Sequence, residues 1–135
     1  MKSAIHHMTI TRYYDDKAWD TKVINNPSWE NVVAAIKKMD NYYFPIVQLY
    51  LIEDEKNSED NFNIIGGNGR YALFHFMGEW QYEDHNGSNE DARLWDSDQR
   101  YFCKEKNVIT DIEKVLRITK VFYETGSYDK LDNID

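Results

Sequence analysis

Cysteine is almost missing from this chain: Cys103 stands alone, so an intramolecular disulfide is excluded. Two prolines and six glycines are too few for a Pro/Gly-rich linker, and neither a repeat nor a low-complexity tract divides the sequence. Long apolar runs are lacking too. The longest, Ile46 to Ile52, falls far short of the ~20 residues that a membrane-spanning helix needs. The first residues include Lys2, His6 and His7 and hold no continuous apolar stretch, so no secretory signal is read there. Basic residues are the minority, 16 against 24 acidic ones, for a net charge of −8. Nucleic acid and anionic membrane both require neutralisation by Lys and Arg, so both are excluded as main partners. The expectation is one domain over residues 1–135, placed in a reducing cytoplasm.

What is present suffices for a core. Of the 135 residues, 41% are hydrophobic and 15% aromatic. A chain of this size buries roughly two-thirds of its unfolded surface, and so folds without a metal or disulfide staple. Met8 to Tyr13 is rich in β-branched and aromatic residues and predicts a first strand. A polar connection follows. Ser28 then offers an N-cap, and Trp29, Val32, Val33, Ile36 and Met39 recur at helical spacing, with Glu30 early and Lys37 and Lys38 late. Beyond Pro45, Ile46 to Ile52 reads as a strand. Phe62 to Ile65 and Tyr71 to Met77 read as a hairpin closed by Gly66-Gly67-Asn68-Gly69-Arg70. Short strands are predicted at Trp80 to Tyr82, Ala92 to Trp95 and Arg100 to Cys103, with a turn at Asn86-Gly87. The last helix has a capping box in Thr110-Asp111-Ile112-Glu113, with Thr110 as the cap, and a Gly126 stop. Helices bracketing a strand-rich middle predict an α+β fold: a single curved antiparallel sheet with two main helices packed on one face.

Catalytic signatures are weak throughout. The glycine cluster lacks the Gly-Lys-Ser/Thr ending of a phosphate loop, and a strand pattern follows it where a helix would be needed. His6 and His7 are adjacent, so on a strand their side chains are expected to diverge and chelate poorly. No partner stands at metal-ligand spacing from His75, His85 or Cys103. Neither a metal nor a cofactor is expected. Cys103 follows an aromatic in a strand-like stretch and reads as structural. Carboxylates are plentiful, yet no pair is singled out as acid and base.

A binding surface has more support. Between Glu79 and Asp98, carboxylates cluster with aromatics, which is how a surface steers and anchors a basic partner. The candidate contacts are Trp80, Tyr82, Glu83, Asp84, Trp95, Asp96 and Asp98, with Glu53, Asp54 and Glu55 as a second acidic patch. The competing reading makes Trp80 and Trp95 core residues and the charges a solvated rim.

Three stretches taken together resemble a known family. They are Trp29-Glu30 with Val32, Ala35-Ile36 and Met39-Asp40; then Ile64-Ile65-Gly66-Gly67-Asn68-Gly69-Arg70-Tyr71-Ala72-Leu73; then Phe122-Tyr123-Glu124-Thr125-Gly126. The pattern, from Trp29 onward, is similar to Imm-one-type immunity proteins of bacterial polymorphic and contact-dependent growth inhibition toxin systems. That resemblance implies a small cytoplasmic protein that is not an enzyme. It would bind a cognate toxin C-terminal domain, commonly a nuclease or nucleic-acid deaminase, and neutralise it by stoichiometric protein–protein inhibition. Such toxins hold phosphates in basic clefts, which gives the −8 charge a physical purpose. The alternative from the residues alone is a small-ligand or peptide-binding regulatory domain whose aromatic-rich sheet forms a pocket.

Overall fold

A computed structural model describes residues 3–15, 18–51, 61–75, 80–97 and 100–134. The chain opens with β1 (His7–Tyr13) and β2 (Trp19–Asn25), an antiparallel pair running from His7↔Asn25 to Tyr13↔Trp19. Helix α1 (Trp29–Lys38) leads to β3 (Ile46–Tyr50), which pairs with the other side of β1. Then come β4 (Asn61–Gly67) and β5 (Arg70–His75), so that the five-stranded sheet has the order β2-β1-β3-β4-β5, antiparallel throughout. A separate two-stranded ribbon, β6 (Asp91–Leu94) and β7 (Tyr101–Lys104), precedes α2 (Ile112–Thr125). The fold is α+β, as the element pattern predicts. The ribbon is an addition to the single sheet expected. None of the described helices is long and apolar enough to cross a membrane.

Local chemistry explains most boundaries. Ser28 Oγ accepts from Asn31 N at 3.1 Å, and Asn31 Oδ1 accepts from Ser28 N at 3.0 Å, so α1 starts with a reciprocal cap. At α2 the expected cap shifts by one residue. Asp111, not Thr110, is the N-cap, and its carboxylate accepts from Glu113 N at 3.0 Å. The helix ends at Gly126, whose φ of 66° is left-handed and whose N–H donates to Phe122 O at 2.7 Å. Asn68-Gly69 closes the β4–β5 hairpin with φ of 55° and 88°, the signs that a tight primed turn requires. Gly67 has a different reason to be glycine. A Cβ there would lie 2.6 Å from the backbone of Met39, Asp40 and Asn41, which cross it closely at the Asp40↔Gly67 bridge.

Two expectations need correction. Residues 14–25 are not merely a polar connection, because β2 occupies Trp19–Asn25. Its polarity reflects its place at the edge of the sheet, with six of its seven residues exposed. Trp80 to Tyr82 forms no strand of its own, only a single antiparallel bridge between Gln81 and Phe74. The segment lies along the outer side of β5, bonding His75 N to Trp80 O at 2.8 Å and Tyr82 N to Leu73 O at 2.9 Å. Ile109 exchanges backbone bonds with Tyr71 farther along, so the β5 edge is covered. No described strand pairs with the outer side of β2.

Strand alternation divides the side chains between two faces. Met8, Val47, Leu49, Phe62, Ile64, Tyr71 and Leu73 face the helices and pack against Val32 and Ile36 of α1 and Val115, Ile118 and Phe122 of α2. This is the main core, and full burial of each large side chain contributes about 1.5–3 kcal/mol before entropy is counted. On the opposite face, Ile46, Ile65 and Ala72 are covered by Leu94 and Trp95 from the ribbon, while Phe74 stacks on Tyr101 at 5.0 Å between centroids. The ribbon roofs only part of that face. The uncovered remainder, toward β2, is where the site lies.

Candidate functional site

Asn41 organises this region. It adopts φ of 67° just after α1, and its side-chain Oδ1 accepts from Trp95 N at 2.6 Å. Its Nδ2 donates to Asp96 Oδ2 at 3.1 Å, and its carbonyl accepts from Asp96 N at 2.7 Å. Ser97 Oγ adds a bond to Tyr42 O at 2.7 Å. The end of β6 is thereby fastened to the loop before β3. That loop is itself tied by Asp40, whose Oδ1 accepts from Tyr42 N and Phe44 N at 3.0 and 2.8 Å. Trp95 and Arg100, which flank the ribbon turn, both have φ of 60°. For a side chain as bulky as tryptophan that conformation is an outlier, and such strain gathers where placement of a group matters.

The clamp leaves a run of aromatic rings along one end of the sheet. Trp95 meets Trp19 at 5.6 Å, Trp19 meets Tyr13 at 4.9 Å, Tyr13 meets Tyr42 at 5.9 Å, and Tyr42 meets Tyr43 at 4.7 Å. Trp19, Tyr42 and Tyr43 stay 36–37% exposed. Both tyrosine hydroxyls donate to the carboxylate of Asp15, at 3.1 and 3.0 Å, and this bonding raises both phenol pKa values. Behind them the Arg12 guanidinium lies 4.8 Å from the Tyr14 ring and 5.2 Å from that of Phe44, a cation held by π-faces.

Beside the run is a groove of about 490 Å³. Trp19, Phe74, Trp95 and Tyr101 form its aromatic walls, and Ile46 and Ile65 lie in its floor. A line of polar side chains crosses the sheet, and Gln48 and Asn63 in it line the groove. Thr9 Oγ1 donates to Gln48 Oε1 at 3.2 Å, Gln48 Nε2 to Asn63 Oδ1 at 2.9 Å, and Asn63 Nδ2 to Asn61 Oδ1 at 2.6 Å. Arg100 stands at the exposed rim. Burial chiefly, with Cys103 second, pushes the Tyr101 phenol up to about 12, so it stays protonated at neutral pH.

The residues singled out from sequence fall into two groups on opposite faces. Trp80 is 8% exposed within the main core; it lies 6.0 Å from Phe62 and donates Nε1–H to Asp132 at 2.9 Å. Tyr82 packs beside the same core, with the Lys114 ammonium 5.1 Å from its ring. Glu83 pairs with Lys106 at 2.8 Å, and Asp84 stabilises its own turn by accepting from Asn86 N. Trp95 and Asp96 belong to the other face, at the Asn41 clamp. Asp98, Glu53, Glu55 and Asp54 lie outside the described residues.

Sequence reasoning missed Trp19, Asn41, Tyr42, Tyr43 and the Gln48–Asn63 row. A usable signal existed in the neighbouring aromatics Tyr13-Tyr14 and Tyr42-Tyr43-Phe44, since consecutive rings in extended chain cannot all reach one core. His6 and His7 do not diverge as expected. His6 precedes the strand, and the two Nδ1 atoms approach to 2.9 Å while His7 stacks on Tyr50. Among the described residues no three His, Cys, Asp or Glu side chains gather as metal ligands. Burial pushes the Cys103 thiol up, away from a reactive thiolate. The arrangement is one of anchors and hydrogen-bond groups. Comparison of the chain with protein-family models, curated proteins and solved structures finds no match.

Proposed function

We propose that this protein is a non-catalytic, stoichiometric binder of another protein, and that the partner is a basic bacterial toxin domain which it neutralises in the cytoplasm. The observation that carries the reading is the half-exposed run of Trp19, Tyr42 and Tyr43, flanked by Asp15, Asp40 and Asp96. Tyr and Trp are the side chains that most often supply binding energy at protein interfaces, and neighbouring carboxylates give direction to the encounter. The net charge of −8 favours approach to a basic surface. Resemblance to Imm-one-type immunity proteins supplies the class of partner, a nuclease or nucleic-acid deaminase domain.

The test is a search beside this gene for a secreted toxin and co-expression with the C-terminal domain of that toxin. Rescue of growth is expected, with a one-to-one complex on gel filtration. Combining Trp19→Ala with Tyr42→Ala should weaken that complex by at least about 2 kcal/mol while circular dichroism stays native. Absence of rescue and of a complex would overturn the reading. A second reading, a small-ligand-binding domain, is favoured by the aromatic groove on the same face, whose volume is within the usual range for ligand pockets.

A further inference from the structure

We propose that the groove on the open face of the sheet binds a small organic carboxylate with a flat apolar body. This inference deepens the small-ligand reading, on which it rests, and it holds whether or not the aromatic run docks a protein. The walls are Trp19, Phe74, Trp95 and Tyr101, aromatic side chains that suit contact with a planar apolar body.

The polar groups then decide what that body carries. Trp95 is 92% buried, being 8% exposed; its Nε1–H has no acceptor among the described residues and no contact with solvent, so a ligand's acceptor meets it only when the ring turns toward the groove. An indole donor has no other hydrogen-bonding capacity, so only an acceptor can relieve it. Gln48 and Asn63 point to the same need. Each amide nitrogen has two hydrogens, and among the described residues the row across the sheet uses one from each. Arg100 adds a guanidinium at the rim that forms no ion pair among the described residues. Against these donors, the described residues that line the groove include no aspartate or glutamate. A carboxylate supplies two acceptor oxygens and a charge suited to Arg100. The left-handed backbone at Trp95 and Arg100 brings both residues to the same cavity.

The probe is 2-naphthoate, with 2-naphthamide as its uncharged counterpart, titrated into the ¹⁵N-labelled full chain. Four tryptophans give four indole N–H resonances, and Trp95→Phe identifies the one from Trp95 by its disappearance. Naphthoate should move that resonance and leave those of Trp29 and Trp80 in place. Binding of the amide should be weaker by about tenfold, and Arg100→Gln should weaken naphthoate by a similar factor without affecting the amide. Equal affinity for both probes, unchanged by Arg100→Gln, would overturn the carboxylate assignment while leaving the groove a ligand site. If neither probe moves the Trp95 resonance, both the assignment and the small-ligand reading fail. Arg100 is exposed, so its replacement leaves the fold intact even if Trp95→Phe does not.

Discussion

Asn41, Trp95 and Arg100 share a left-handed backbone, yet they bear it differently. Asparagine tolerates the conformation because its short amide bonds to nearby backbone, whereas tryptophan in it needs outside support. Here the support is Asn41 itself, through the 2.6 Å bond to Trp95 N. Choice between adjacent residues is also the issue at the start of α2. Thr110 and Asp111 are both good capping types, and the Thr-Asp-Ile-Glu pattern favours Thr110. Only the path of the chain, with Asp111 at φ −106° and ψ 109°, decides for the aspartate. Asp111→Ala should therefore cost about 1 kcal/mol in urea unfolding, and Thr110→Ala only a few tenths. Equal losses would return the cap to Thr110. The same limit applied to Trp80 and Trp95. Each is an aromatic among carboxylates in sequence, and which face of the sheet receives it depends on contacts far along the chain, with Asp132 for one and Asn41 for the other.

At the scale of elements, legibility followed the strength of local pattern. Both helices and the Asn68-Gly69 hairpin were readable because periodicity and caps or turn residues coincide there. β2 was not, since an edge strand with most side chains in water has no apolar alternation to display. The ribbon strands were visible as short strands, but their pairing with each other and docking on the sheet were not. That docking rests on Leu94, which is fully buried, together with Trp95 and the Phe74–Tyr101 stack. Leu94→Ala should cost about 2–5 kcal/mol. Hydrogen exchange should show protection lost first at Asp91–Leu94 and Tyr101–Lys104, with β3 and β4 retaining theirs. Uniform loss across the sheet would mean that the ribbon is not a separable unit.

For the whole molecule, net charge overstates the acidity that is free of ion pairs. Glu83 is paired with Lys106 and Asp91 with Lys104, and in each case the hydrogen bond first and the Coulomb attraction second hold the carboxyl below its ordinary value, 4.5 and 3.8 respectively. A carboxyl with a depressed folded-state pKa stabilises the fold above its unfolded value, and that contribution disappears as pH falls through the folded value. Both carboxylates are solvent-exposed, so the effect is small and salt-sensitive. The parent should exceed a Lys104→Met, Lys106→Met variant in Tm near about pH 7, and the gap should shrink as pH falls below the ordinary carboxyl values and through the lowered folded ones. A gap that persists in acid would exclude these ion pairs as its origin.

The contrast between the two sheet edges has a consequence for how concentrated solutions behave. β5 is sealed by Trp80 to Tyr82 and by Ile109, while β2 ends the sheet with a long outer side. Val23 is 53% exposed there, and an edge strand of this length, with no described strand on its outer side, is a template for cross-chain pairing and, in time, for fibrils. Asp20 and Lys22, alternating with Trp19, Thr21 and Val23, act as gatekeepers against that stacking. The aromatic run begins at Trp19 on the same strand, so the proposed partner surface and the surface at risk of self-templating are neighbours.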